Sequence, residues 1–483
     1  IEIADGAYRR MAPARALVDE LVAEGRTVYG VTTGFGALAS TRIDPALAAE
    51  AQVALLRSHA AGVGDPLDDD VVRVMLALRA RTLAQGHSGV RPEIVEAQAA
   101  LLRHGLLPVV PGQGSVGASG DLAPFAHLAL PLIGEGFVRV DGRVVPAAEG
   151  LAQAGLEPVT LRAKEGLSLL NGTEGMLALG ILALRRARRI ARAADIACAL
   201  SVEALLGSAR PFLPEIHALR PHPGQIRSAE AIGALLEGSE IVASHADDFV
   251  HAVQDAYSLR CAPQVHGAVT DVLDHAEGVF TRELGSVADN PLVFAEERSV
   301  LSGGNFHGQP LAFAMDFMAI GVTELGSISE RRTDRILDPQ RSSGLPPFLA
   351  SRPGLNSGYM LTQYTAAALV AENRVLSHPA SVESIPTSGS QEDHVSMGWG
   401  AARKLHDVLT NTARVVAVEI LCAVRGVEHR LPLQPGRGSQ SAMAAVRSVV
   451  TPLETDRSPA PDIEAIATLV EDGSLAAAVD AAR

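Results

Sequence analysis

Between Gly175 and Leu206 the chain reads GMLALGILALRRARRIARAADIACALSVEALL, and Gly207 follows as a stop. Alanine and the straight-chain apolar residues lose little freedom in a helix, so the stretch predicts one long helix. Three further segments read the same way. One starts beside Pro310, a residue suited to a first turn, and continues past Ile328. Another runs from about Tyr359 to Leu376 and ends before Pro379, and a third from about Met397 to Val424. Ile463, Ile466 and Val470 repeat at helical spacing behind Pro461. Segments of roughly 20 to 30 residues far exceed the usual helix of about 11 to 12. The expected fold is therefore mainly α, a long-helix bundle.

Composition agrees. Of 483 residues 47% are apolar but only 4% aromatic, so the core must be built from Ala, Leu and Val, which suits closely packed helices and buried subunit interfaces. Residues 1–176 have a different texture, with short helices between turns such as Thr32-Thr33-Gly34-Phe35-Gly36, Gly86-His87-Ser88-Gly89 and Pro108 through Gly120. Phe137, Val138 and Val140 precede an Asp141-Gly142 hairpin signal. The expected division is a smaller mixed N-terminal region, 1–176, and a helical region, 177–483. Leu431 to Ser441 is the linker-like stretch.

Several functions are disfavoured. A net charge of -14 argues against nucleic acid or an anionic membrane as partner. The cluster Arg185, Arg186, Arg188, Arg189 and Arg192 sits within the helical pattern and reads as a solvated or salt-bridged face. Cys198, Cys261 and Cys422 lack metal-ligand spacing and fit a reducing cytoplasm. No signal-peptide pattern opens the chain, and the most apolar run, Leu311 to Val322, is short and contains Asp316. Gly112, Gly114 and Gly117 match G-x-G-x-x-G, but no parallel strand–helix pattern surrounds them. His245 and His251 flank Asp247 and Asp248 without a common metal spacing. Only Lys164 and Lys404 could form a Schiff base, and neither lies in a phosphate-binding glycine context.

The segment Gly114-Ser-Val-Gly-Ala-Ser-Gly-Asp-Leu-Ala-Pro124 is dense in small residues. A tight turn before a helix would account for its glycines. Chemistry offers more. If the turn presses the Gly120 nitrogen onto the Ala118 carbonyl, the backbone can cyclise and Ser119 can lose water. The product, 4-methylidene-imidazole-5-one (MIO), is an electron sink that no ordinary side chain provides. Only a small, strained loop ending in glycine would permit that approach.

Gly117-Ala-Ser-Gly-Asp-Leu-Ala-Pro124 resembles the signature of the aromatic amino-acid ammonia-lyases and aminomutases, whose prosthetic group forms this way. The resemblance extends over nearly the whole chain. It includes Tyr29-Gly-Val-Thr-Thr-Gly-Phe-Gly36, Asn171-Gly-Thr173, Gln254-Asp-Ala-Tyr-Ser-Leu-Arg260, Asp289-Asn-Pro-Leu292, Gly303-Gly-Asn-Phe-His307 and Gln391-Glu-Asp-His-Val-Ser396. Departures are Ala256, where some relatives have Pro, and the variable position Glu174; neither disturbs a motif residue. Two places favour histidine as substrate. Ser58-His59-Ala-Ala-Gly62 is similar to the pair in the lyases acting on histidine, where tyrosine lyases carry His-Leu and phenylalanine lyases Phe-Leu. Gln391-Glu392-Asp393-His394 keeps a glutamate that the other aromatic lyases tend to lack. A polar His59 and an anionic Glu392 suit an imidazole held by hydrogen bonds.

The resemblance implies an aspartase/ammonia-lyase-like fold and elimination of ammonia from L-histidine to trans-urocanate. It implies MIO from Ala118, Ser119 and Gly120, and no diffusible cofactor or metal. The substrate amine adds to the carbon from Ser119. Tyr29 takes the β-proton, a task that needs the positive ends of helices nearby to favour its phenolate. Glu392 is the alternative base, and the sequence leaves both open. Arg260 clamps the substrate carboxylate bidentately. Asn171 and Gln254 hydrogen-bond the ring or the carboxylate, Tyr257 polarises the ring or relays a proton, and Phe306 walls the pocket. His59 and Glu392 hold the imidazole. The expected assembly is a cytoplasmic homotetramer whose sites draw residues from more than one subunit. The alternatives are a phenylalanine or tyrosine ammonia-lyase, an aminomutase of the same family, or a binding protein that keeps the scaffold without cyclising.

Overall fold

The computed structural model describes residues 2–246 and 254–481. It is mainly α, as expected, and the long helices lie close to their anticipated bounds: Glu174–Ala204, Gln309–Leu337, Met360–Leu376, Gly398–Glu428 and Ala460–Asp472. Gly207 ends the first as anticipated, its nitrogen donating back to Val202 O at 2.7 Å. A long helix that the sequence leaves unmarked is Ala262–Leu284. Its inward face includes a polar residue, His266, which is buried with Nδ1 2.8 Å from Asp195 Oδ1.

The chain forms two compact units, each discontinuous in sequence. The first comprises Ile1–Leu182, Gly278–Met315 and Ala380–Arg403. The second comprises Ala183–Glu277, Asp316–Pro379 and Lys404–Arg483. The change of texture at 176/177 falls inside the Glu174–Ala204 helix, because long helices carry the chain between units.

All seven strands among the described residues belong to the first unit. Phe137–Val140 pairs antiparallel with Arg143–Pro146 across Asp141 and Gly142, whose φ values of 48° and 78° are those the hairpin turn demands. Pro111–Gln113 pairs antiparallel with Val63–Pro66, which disposes of the dinucleotide reading of the nearby glycines. This unit also opens with a longer helix than expected, Asp5–Ala23, which packs Leu17, Val18 and Leu21 against Val31 and Val293.

In the second unit the core is aliphatic, including Ile196, Leu200, Val322, Leu325, Val408, Val416 and Ile420. Within it Glu419 is wholly buried and accepts from Arg332, Ser201 and Ser329. The arginine cluster is salt-bridged as expected: Arg186 pairs with Glu471, Arg188 with Asp274 and Glu277, and Arg192 with Asp480. The anticipated linker Leu431–Ser441 is a linker only in part. Arg437 begins a helix to Val449, and a β-carbon on Gly436 would meet Leu235 O at 2.3 Å, so this chain is packed down.

The apolar run Leu311–Val322 is part of a longer feature than its sequence conveys. Gln309–Leu337 is, among the described residues, the helix long and apolar enough to cross a membrane, and 61% of its most apolar window is buried within the protein. Cys198, Cys261 and Cys422 are all free, and burial pushes the thiols of Cys198 and Cys422 up to about 12. Asp247, Asp248 and His251 lie outside the described residues; His245 Nε2 is 3.2 Å from Gly207 O. No group of three or more potential metal ligands occurs among the described residues. Lys164 is wholly buried, its ammonium donating to Asp289 at 3.0 Å and Ser168 at 2.8 Å, and burial lowers its pKa. Lys404 pairs with Asp316.

Candidate active site

The first unit contains a cavity of about 550 Å³. Its apolar walls include Phe35, Leu38, Leu55, Leu122, Leu167 and Leu170. Its polar groups come from Tyr29, Ser58, His59, Ser119, Asn171, Ser388 and Glu392. Five positions chosen from sequence (Tyr29, His59, Ser119, Asn171 and Glu392) therefore converge on one space although they span most of the chain.

The loop before the Leu122–Ala129 helix is bent as its composition requires. Gly114, Gly117 and Gly120 have φ of 136°, 76° and 83°, and Ser119 itself has φ 52°. A left-handed serine costs energy and persists only where the surroundings impose it. Here they do. The Asp121 nitrogen donates to Gly172 O at 2.9 Å, and a β-carbon on Gly120 would lie 2.1 Å from that same oxygen. A β-carbon on Gly117 would meet Ser396 Oγ at 2.1 Å, while Met397 N donates to Val116 O at 2.9 Å. The tripeptide is clamped from two sides, with the Ser119 side chain facing the cavity.

Asp121, which follows Gly120, anchors the loop. It is wholly buried; its carboxylate accepts from Met176 N at 2.7 Å, in the first turn of the Glu174–Ala204 helix, and from Ser115 Oγ at 3.3 Å. Burial pushes its pKa up to about 8 against these donors, which pull it down.

Around the cavity, Ser119 Oγ donates to Glu392 Oε1 at 3.4 Å, and Thr387 Oγ1 donates to Glu392 Oε2 at 2.9 Å. The Tyr29 hydroxyl accepts from Gly36 N at 3.3 Å, and Ala37 N donates to Ser388 Oγ at 3.1 Å, joining two loops at the cavity rim. His59 Nδ1 lies 3.1 Å from Ser58 Oγ; burial lowers the pKa of this imidazole, partly offset by the Leu55 carbonyl and the charge on Glu392. Asn171 Nδ2 donates to Asn290 O at 2.8 Å, and its buried Oδ1 has no partner.

The remaining expected site residues are placed differently. Phe306 belongs to the first unit, half-buried, but does not line this cavity. Gln254, Tyr257 and Arg260 belong to the second unit. Tyr257 and Gln254 are exposed there, and the Arg260 guanidinium stacks 4.6 Å over the Tyr257 ring while Nε donates to Asp255 O at 3.0 Å.

Sequence reasoning missed Asp121, Ser388 and the apolar wall, although Asp121 stood inside the quoted signature. It also treated Glu174 as inconsequential. Glu174 is buried, in an ion pair with the wholly buried Arg79 at 2.8 Å.

A polar-rimmed cavity in the mixed first unit, with a distorted Ala-Ser-Gly loop at its wall, has the make-up of an enzyme site. Residues 1–448 match the family described as aromatic amino acid lyase, and the chain belongs to that family. It is 55% identical to a histidine ammonia-lyase from Gloeobacter violaceus over 97% of this chain and 91% of the relative. Among solved structures, a histidine ammonia-lyase from Trypanosoma cruzi superposes with a TM-score of 0.91 at 46% identity, covering 100% of this chain and 90% of the other. A tyrosine aminomutase from Streptomyces globisporus superposes with a TM-score of 0.95 at 42% identity, covering 100% and 94%. The chain is a carbon–nitrogen lyase.

Proposed function

We propose that this protein eliminates ammonia from L-histidine to give trans-urocanate, using an MIO ring that forms from Ala118, Ser119 and Gly120. The observation that carries the reading is the strained Ser119, clamped between left-handed glycines, beside a cavity that also holds His59 and Glu392. The residues fit the group: a left-handed Ser119, φ 52°, followed by a glycine with no room for a β-carbon, supports a turn tight enough for ring closure. When formed, the ring supplies an electron-poor alkene that captures the substrate amine and makes it a leaving group.

The chain's own residues do the rest. The apolar walls exclude water from the substrate's β-carbon, and Tyr29, on its glycine-rich loop, takes the β-proton. His59 and Glu392 hold the imidazole. The lowered pKa keeps His59 neutral near pH 7, so it can both donate and accept. An apolar ring would leave these partners unpaired, at about 1 to 3 kcal/mol each where buried. Asn171, whose free Oδ1 is buried at the wall, offers an acceptor to the substrate amine. The roles of Arg260 at the substrate carboxylate, of Gln254 and Tyr257 beside the ring, and of Phe306 as a wall rest on the family pattern. So does a cytoplasmic homotetramer with sites drawing on more than one subunit. Exposed Phe317, Ile320, Leu361, Tyr364 and Val375 support the self-association part of that reading, because they leave apolar helix faces that another copy would cover.

The similarity to a tyrosine aminomutase keeps a second reading in view, in which the same ring serves an aromatic substrate. Incubation with histidine, phenylalanine and tyrosine, following the ultraviolet absorbance of the unsaturated acid, separates the two. Product from histidine is expected. Silence with histidine and product from phenylalanine would overturn the assignment.

A further inference from the structure

Gly172 is caught between two surfaces. On one side, a β-carbon built on it would fall 2.1 Å from Arg79 Nη1 and 2.1 Å from Glu174 Oε2, so guanidinium and carboxylate lie directly against its α-carbon. On the other side, its carbonyl oxygen is the atom that bars a β-carbon from Gly120 and accepts from Asp121 N. Arg79 is wholly buried and is not among the residues lining the cavity. Its Nη1 donates to both Glu174 oxygens, at 2.8 and 2.9 Å, and to Ala288 O at 3.1 Å; its Nε donates to Ser168 O at 2.9 Å. One side chain thus ties three separate segments together behind the Asn171-Gly172-Thr173 turn. Only a planar fork reaches all four acceptors at once; an ammonium cannot.

We propose that Arg79, with Glu174, is a positioning residue for self-cyclisation: the ion pair backs Gly172, whose carbonyl holds Gly120 and Asp121 in the bend that brings the Gly120 nitrogen onto the Ala118 carbonyl. The inference rests on the reading that residues 118–120 cyclise. The step is redox-neutral. A bond forms between Gly120 N and Ala118 C, and the Gly120 amide proton moves to the Ala118 oxygen. That oxygen leaves as water with the Ser119 amide proton, and the Ser119 hydroxyl leaves as a second water with the Ser119 α-proton. No oxidant is required, so geometry is what the protein must supply. Small displacements from attack distance cost such reactions one to two orders of magnitude.

The experiment is intact-mass spectrometry of freshly purified wild type, Arg79→Lys and Glu174→Gln, with circular dichroism and gel filtration to select folded chain. Arg79→Lys keeps the charge but loses the fork, and Glu174→Gln keeps the shape but loses the charge. The wild type should be two waters lighter than its sequence. Each folded variant should contain full-mass chain that converts roughly tenfold or more slowly. Activity per cyclised chain, and KM, should match the wild type, since Arg79 touches no substrate; a merely structural weakening would not separate these readouts. Both variants fully dehydrated as quickly as the wild type would overturn the inference, and so would failure of both to fold, which would make the pair a fold element. A wild type at full mass would overturn the cyclisation reading itself.

Discussion

Replacing Glu392 by Gln changes the cavity by one charge and almost no volume. The structure sets the cost to the fold. Oε2 accepts from Thr387 Oγ1 at 2.9 Å, a bond that the amide oxygen can keep, and the 3.4 Å contact from Ser119 Oγ is long. Thr387 keeps an acceptor, and at this half-exposed position water can also satisfy both groups, so the cost to the fold is about 1 kcal/mol or less and Tm should barely move. The cost to substrate is larger. A hydrogen bond to a charged group contributes about 1.5 to 3 kcal/mol against about 0.5 to 1.5 for a neutral one. The difference, about 1 to 1.5 kcal/mol, corresponds to roughly 5- to 13-fold in kcat/KM. That loss should fall mainly on KM for histidine, with kcat within a few-fold of wild type. Tyr29→Phe should do the reverse, lowering kcat by about two to four orders of magnitude, as removal of a general base does. Initial rates over a range of histidine concentrations decide it. A collapse of kcat in Glu392→Gln with KM unchanged would refute the assignment and make Glu392 the base.

Other outcomes follow from the same geometry. Ser119→Ala should leave helix content unchanged and abolish both the two-water mass deficit and lyase activity, as circular dichroism and intact mass would show. Asp121 binds a proton in the folded state up to about pH 8 but releases it near its ordinary pKa when unfolded. The stability it contributes is therefore present in acid and lost as pH rises from about 4 to 8. Denaturant titrations across that range should show wild type losing ground steadily to Asp121→Asn, and parallel curves would be inconsistent with the burial argument. His59 works in the opposite sense. Its lowered folded pKa means the unfolded chain takes up the extra proton as pH falls below about 6.5, so stability drops there, and His59→Phe should remove that drop while shifting preference from histidine towards phenylalanine.

How much of this was legible depends on what kind of signal a residue carries. The helices Glu174–Ala204 and Gly398–Glu428 are aliphatic over most of their length, so local propensity and burial agree and their bounds could be read. Ala262–Leu284 was hidden in part because His266 is polar yet buried, with a partner, Asp195, that comes from distant sequence. At the cavity, Tyr29, His59, Ser119, Asn171 and Glu392 were found through motifs, since chemistry there demands particular side chains. The apolar wall of Leu55, Leu167 and Leu170 demands only bulk, which leaves no signature among so many leucines. Arg79 was invisible for a sharper reason. An arginine in a helical stretch with Arg73 and Arg81 nearby reads as a solvated charge, and only the fold reveals that its partner is Glu174 and that both press on Gly172.

The most direct measurement is electron density at residues 118–120 in crystals of fully active protein. Continuous density closing a five-membered ring between the Gly120 nitrogen and the Ala118 carbon, with a planar methylidene in place of the serine hydroxymethyl, is the predicted result. An open peptide with an intact Ser119 side chain, in a preparation that turns histidine over at full rate, would contradict the mechanism.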